Sequence, residues 1–251
     1  MVAEQPLIGI TCRRRPGKTD YYLPADYSQA VYAGGGLPVM LPLIDASGYL
    51  EPLLGRLDGV LFSGSATDVA PELYGAKREP WLGPVDPLRD AVDSLLARQA
   101  VDLGMPVLAI CYGFQMLNVV LGGSLVQDLR TTCPDGLLHE RRDAGDPPAL
   151  HPVNLLKGSL LADLAGTSQI DVNSSHHQAI DRLAADLCPT ATAPDGTIEA
   201  AEHRGTLPLL AVQWHPEKSF AEDAVSRRLF EYFISQCRMF RTGRSRRMAK
   251  R

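Results

Sequence analysis

The sequence predicts an α/β protein, a sheet flanked by helices, with additional β-strands in its second half. Three observations carry this. Short apolar runs of strand length alternate with segments of helical period, Pro and Gly fall between these units as punctuation, and beyond residue 150 the strand-like runs follow one another with few helical patterns between them. The 251 residues are 45% hydrophobic and 22% charged, with a mean hydropathy of -0.07, which excludes disordered, collagen-like and fibrous classes.

In chain order, Leu7 to Thr11 is a short buried strand, and Ala25 to Ala33 is a helix closed by the run Gly34, Gly35, Gly36. Val39 to Leu41 and Gly59 to Phe62 are further core strands. Asp86 followed by Pro87 is an N-cap and first-turn pair, and Leu88, Ala91, Val92, Leu95 and Leu96 then repeat along one helical face up to Gly104. Pro106 to Ile110 is an apolar strand, Cys111 follows in a tight turn, and Phe114 to Leu121 is a helix stopped by Gly122 and Gly123. Strands are expected at Val153 to Leu156, Gln169 to Val172, Ile198 to Glu202 and Leu209 to Trp214, and a last helix near Glu222 to Ser235. Residues 135 to 150, rich in Asp, Arg, Gly and Pro, read as a surface excursion.

No run approaches the roughly 18 apolar residues of a membrane span, and Met1 to Pro6 lacks the basic start of a signal peptide, so a cytoplasmic protein is expected. Five cysteines without a C-x-x-C pair suggest neither a disulfide framework nor a zinc ribbon. Six of the 25 basic residues fall in the last eleven, which contain no acid. Without interleaved aromatics, this basic stretch at 241–251 reads as a frayed, solvated tail rather than a nucleic-acid-binding one.

The segment Ala109, Ile110, Cys111, Tyr112, Gly113 has the shape of a nucleophile elbow. Small residues at 109 and 113 leave room for the sharp turn. Cys111 falls at a helix N-terminus, whose dipole favours thiolate, and the Tyr112 N–H is free to donate to an oxyanion. A buried structural cysteine is the alternative. A thiolate needs an imidazole and a group to orient it, and Trp214, His215, Pro216, Glu217 at the end of a strand offers both. An exposed histidine beside an unrelated glutamate is the plainer reading, and His176 or His177 within Asp171 to Gln178 is an alternative base. Asp58 to Ser65 is a strand followed by a small-residue loop able to bring backbone N–H groups to a ligand. Phosphate-binding loops fail on spacing. Metal motifs fail because His139, Glu140, Arg141, Arg142 runs into Asp143 where a zinc-binding helix needs histidine.

Four segments together resemble the class I glutamine amidotransferase-like hydrolases, and within them the γ-glutamyl-γ-aminobutyrate hydrolases of peptidase family C26. These are Pro106 to Leu129 around Cys111, Asp58 to Gly75, Val172 to Gln178, and Val212 to Glu217. The resemblance runs from about Pro6 to about Cys237, which makes residues 1–240 a single domain. It implies a three-layer, flavodoxin-like fold with a mostly parallel central sheet. It also implies a triad of Cys111 as nucleophile, His215 as base and then acid, and Glu217 as the group orienting His215. The oxyanion is then held by backbone N–H groups of Tyr112 and of Gly64 or Ser65. Gln115, Asn173, Ser174, Ser175 and His176 match positions that line the glutamyl pocket. The implied activity is hydrolysis of a γ-glutamylated amine through a thioester, in polyamine or putrescine breakdown, with no cofactor or metal and a small-molecule substrate as partner. A glutaminase subunit feeding ammonia to a separate synthetase is the alternative. The family often forms homo-oligomers, and neither nucleic acid nor membrane is an expected partner. Tyr112 replaces the Arg common in these hydrolases, and Ser-Gly-Ser-Ala replaces the usual Pro-Gly-Gly. Both departures bear on the identity of the substrate.

Overall fold

The computed structural model describes residues 5–15, 18–140 and 149–248. A nine-stranded sheet forms the middle layer. Its strands are β1 (Leu7–Thr11), β2 (Leu37–Leu41), β3 (Gly59–Phe62), β4 (Val107–Ile110), β5 (Ala149–Leu155), β6 (Gln169–Ser174), β7 (Leu187–Thr192), β8 (Ile198–His203) and β9 (Leu209–Val212). They lie in the order β2-β1-β3-β4-β9-β8-β7-β5-β6. The first five are parallel, and the last four continue the sheet antiparallel. The division follows the sequence. Helical patterns separate the early strands, as parallel crossovers require, whereas β7 and β8 are close enough in the chain to pair as a hairpin.

The helices are α1 (Ala25–Ala33), α2 (Ser47–Leu54), α3 (Pro87–Asp102), α4 (Tyr112–Val120), α5 (Leu129–Thr132), α6 (Leu160–Ala165), α7 (Pro216–Ser219) and α8 (Ala224–Met248). Central strand residues alternate between two cores. Val60, Phe62, Val107, Ala109, Leu209 and Ala211 join α2, α3 and α4 on one face, while Leu61, Leu108, Ile110, Leu210 and Val212 join α1, α6 and α8 on the other. That is the expected three-layer arrangement. Helix α4 is buried from Tyr112 to Val119, which explains why its sequence is apolar nearly all round.

Several expectations need correction. The last helix runs on to Met248, so residues 241–248 are helical and not a frayed tail. Arg241 donates to the Gln5 carbonyl, and Arg244 pairs with the buried Asp58 at 2.7 Å. Strand β7 is not among the strands expected, because Pro189 argues against a central strand; the register shifts between Pro189 and Ala191 accommodate it. The apolar face expected for α3 is rotated. Leu95 is exposed, and Arg89, Asp90 and Asp93 are buried. Of the supposed surface excursion, His139 is buried, and residues 141–148 lie outside the described residues.

Candidate active site

Strand β4 ends at Ile110, and α4 begins at Tyr112, leaving a single residue for the turn. Cys111 makes it with φ 53° and ψ -110°, the one non-glycine at positive φ among the described residues. This backbone costs on the order of 1–3 kcal/mol and survives only where packing over-determines it. The packing is visible at Gly113, where any Cβ would collide with the Phe62 carbonyl. The elbow is thus pressed onto β3, and the Cys111 side chain stands at the carboxyl end of the sheet. As the first residue of α4, Tyr112 has an N–H with no acceptor inside the helix.

His215 arrives on the neighbouring strand. Val212 pairs with Ile110, and the Cys111 N–H donates to the Val212 carbonyl at 2.8 Å. Pro216 turns the chain into α7, which places Glu217 Oε1 2.8 Å from His215 Nδ1. The pairing is made across a helical turn, not along an extended chain. A carboxylate only accepts, so Nδ1 carries the proton and Nε2 is left for the sulfur. Burial disfavours the imidazolium, but the Glu217 carboxylate and Cys111 outweigh it, and the His215 pKa rises from 6.5 to about 9. Asn173 fixes this histidine from behind. Its Nδ2 donates to the His215 carbonyl and its Oδ1 accepts from the His215 N–H, both at 2.9 Å.

The loop after β3 passes under both groups. A Cβ on Gly64 would stand 2.8 Å from His215 Cε1 and 3.4 Å from Cys111 Cβ, so only glycine fits. Its carbonyls are pulled away from the site. The fully buried Arg89 donates to the Ser63 oxygen at 2.6 Å and the Gly64 oxygen at 3.3 Å, Arg13 donates to the Gly64 oxygen at 2.6 Å, and Asp93 holds Arg89 at 3.2 Å. In a planar trans peptide the N–H points opposite to the C=O, so this anchoring turns the next N–H groups towards the cleft. The Gly64 N–H is taken by the Tyr27 hydroxyl at 2.9 Å. Among the described residues, the Ser65 N–H donates to no protein group.

The cleft above has a volume of about 490 Å³ and is lined by Cys111, His215, Glu217, Ser65, Gln115, Ser175 and Arg13, among others. His177 also lines the cleft, held between two carboxylates. Its hydrogen bond to Asp68 at 2.8 Å outweighs burial and lifts its pKa to about 9, with Asp128 on the other ring nitrogen at 3.3 Å. His177 therefore has two carboxylates for company and no nucleophile.

The other residues that the sequence assigned to the site divide. Gln115 reaches the cleft and donates to the Gln178 carbonyl at 3.0 Å and to Gln213 at 3.2 Å. Tyr112 does not reach the mouth: its buried ring lies under Arg89 at 4.2 Å, and its hydroxyl donates to Asp90. Asn173 holds the His215 backbone instead of facing substrate, and the Ser174 hydroxyl donates to the His139 carbonyl at 2.7 Å. His176 touches the cleft, but Nδ1 faces the Gln178 carbonyl and Nε2 faces Glu199, so neither nitrogen is left for substrate. Sequence reasoning missed Arg13, Tyr27 and Arg89. A basic residue at an (i, i+4) spacing from Asp93 was the one signal for Arg89.

A strained cysteine beside a buried His–Glu pair, at the carboxyl edge of a parallel sheet, makes this a hydrolase of the class I glutamine amidotransferase-like type. The fold is shared with the crystal structure of a protein described as a GMP synthase subunit from Thermoplasma acidophilum, with a TM-score of 0.66 and 18% identity over 96% of this chain and 98% of that one. The chain belongs to the peptidase C26 family, whose model matches residues 6–217. It is 37% identical over 247 residues to the γ-glutamyl-γ-aminobutyrate hydrolase PuuD of Escherichia coli K12, covering 94% of this chain and 95% of that protein. It is also 35% identical over 242 residues to protein NtpR of Enterococcus hirae, covering 92% and 99%.

Proposed function

We propose that the protein hydrolyses the γ-glutamyl amide bond of γ-glutamyl-γ-aminobutyrate or a related γ-glutamylated amine, as part of amine breakdown in the cytoplasm. The observation that carries the reading is Cys111 at its positive-φ elbow facing a His215 already ordered by Glu217. The Cys111 thiolate attacks the γ-carbonyl carbon, and the oxygen takes up negative charge against the N–H groups of Tyr112 and Ser65. His215 gives its Nε2 proton to the departing amine, leaving a γ-glutamyl thioester on Cys111. The neutral His215 then takes a proton from water, which attacks the thioester and releases glutamate and the thiolate. Arg13 supplies positive charge for a substrate carboxylate, and Gln115 and Ser175 supply polar contacts. The similarity to PuuD supports the choice of substrate.

The test is release of glutamate and amine from γ-glutamyl-γ-aminobutyrate, other γ-glutamyl amines and glutamine, with Cys111→Ala run in parallel. Hydrolysis of a γ-glutamyl amine that disappears in Cys111→Ala is expected. Activity on glutamine alone would replace this reading with a glutaminase serving a synthetase.

A further inference from the structure

Away from the cleft, three histidines and a glutamate from four separate segments converge in the antiparallel half of the sheet. They are His139, His151 on β5, His176 just after β6, and Glu199 on β8, all buried, with one ligand atom from each lying within 4.8 Å of the others. The hydrolytic chemistry uses none of them. Each imidazole is oriented from outside by an acceptor. His139 Nε2 lies 2.9 Å from Asp195 Oδ2, His176 Nδ1 lies 3.0 Å from the Gln178 carbonyl, and His151 Nδ1 lies 3.2 Å from the Pro152 carbonyl.

These acceptors decide where the protons sit. A carboxylate or carbonyl draws the N–H, so each neutral ring turns a bare lone pair inward through His139 Nδ1, His151 Nε2 and His176 Nε2. All three are without a hydrogen-bond partner, as are both oxygens of Glu199. They stand 3.2, 3.7 and 3.5 Å from Glu199 Oε1. Lone pairs facing a buried carboxylate repel one another unless a proton or a metal cation lies between them, and four inward donors are more than one proton can bridge. The three distances from Glu199 are close to those of a coordination shell, in which bonds of about 2.0 Å from a tetrahedral zinc place neighbouring donors roughly 3.3 Å apart, and the remaining separations, all within 4.8 Å, close on a bound ion.

We propose that His139, His151, His176 and Glu199 form a closed, tetrahedral site for a divalent transition metal, with zinc the best match to three imidazoles and a carboxylate. Four protein ligands and full burial leave no open position for substrate, so the site is structural. Its place in the fold gives it a purpose. The His139 carbonyl already accepts from the His176 N–H and the Ser174 hydroxyl, and Asn173, beside Ser174, clamps His215. The metal would tie the 133–140 segment to β5, β6 and β8 and hold the strand end on which the proposed catalytic histidine leans.

The test begins with metal analysis of the native protein and X-ray absorption of its zinc or cobalt(II) form. About one zinc per chain is expected, with nitrogen and oxygen scatterers and no sulfur, and cobalt(II) should give the intense visible bands of a tetrahedral site. Cys111→Ala should keep the metal, and His151→Ala or Glu199→Gln should lose it. Chelation should lower the melting temperature of the native protein by several degrees, reversibly on return of zinc. A native protein that holds no metal and takes up neither zinc nor cobalt in equilibrium dialysis overturns the proposal, as does a sulfur ligand in the absorption spectrum. The native-chain measurements decide the matter even if the variants fail to fold.

Discussion

Replacing Glu217 with Gln separates the two things this residue does for His215. The amide oxygen can still accept from Nδ1, so the ring keeps its orientation, and only the charge is lost. In the native site the imidazolium is favoured against burial by Glu217 and Cys111, which carries its pKa from 6.5 to about 9. That gap corresponds to roughly 3 kcal/mol in favour of the protonated ring. Because the pKa is raised, the acid form is present throughout the neutral range and is lost as pH climbs through about 9. In the variant Cys111 still raises the pKa and burial lowers it, so the pKa falls below about 9 and the protonated share at about pH 8 drops from some nine-tenths, by about 30-fold in the limit where the ordinary value is reached. The assay is kcat/KM for γ-glutamyl amide hydrolysis across the range from neutral to strongly alkaline pH. The native enzyme should lose activity near pH 9 and the variant at lower pH, with the deficit greatest between the two limbs. A variant slowed equally at every pH, with its alkaline limb unmoved, would refute the electrostatic role and leave Glu217 as an orienting group only.

Other substitutions probe the supports of the site. Gly64→Ala should cost about 1–3 kcal/mol in denaturant unfolding and cut kcat/KM by two orders of magnitude or so, since its methyl meets the His215 ring and the Tyr27 hydroxyl. Arg89→Met strips Asp93 of its buried partner and releases the Ser63 and Gly64 carbonyls; denaturant unfolding should report a loss of about 3–5 kcal/mol. Asn173→Ala removes both bonds to the His215 backbone, and steady-state kinetics should show a lower kcat with little change in KM, roughly 10- to 100-fold.

What the chain reveals before it folds is local. The strand, the lone cysteine and the apolar helix around residue 111 are adjacent in the chain, so period and turn chemistry find them. Helix α3 shows where that reading stops. Its apolar period suggests one buried face, but Arg89 and Asp93 claim part of the interior because they pair with each other and Arg89 holds a loop 25 residues away in the chain. Tyr112 departs from expectation for a related reason: a residue beside the nucleophile is expected at the cleft, whereas the first turn of α4 swings its ring inward beneath Arg89. The histidine cluster is invisible to motif spacing, since residues 139, 151, 176 and 199 meet only after four segments have packed.

Cys111 follows directly on β4, and His215 stands three residues beyond the end of the neighbouring β9, where the turn into α7 and the two bonds from Asn173 hold its backbone. The reaction centre is in that sense positioned through its backbone. The walls of the cleft come from other segments, among them the loop after β3 and the stretch after β6. The loop after β3 takes part in both, since Ser65 lines the cleft and Gly64 lies against His215 and Cys111. Exchange of the stretch after β6 between such hydrolases should therefore alter selectivity while the backbone around Cys111 and His215 stays as it is.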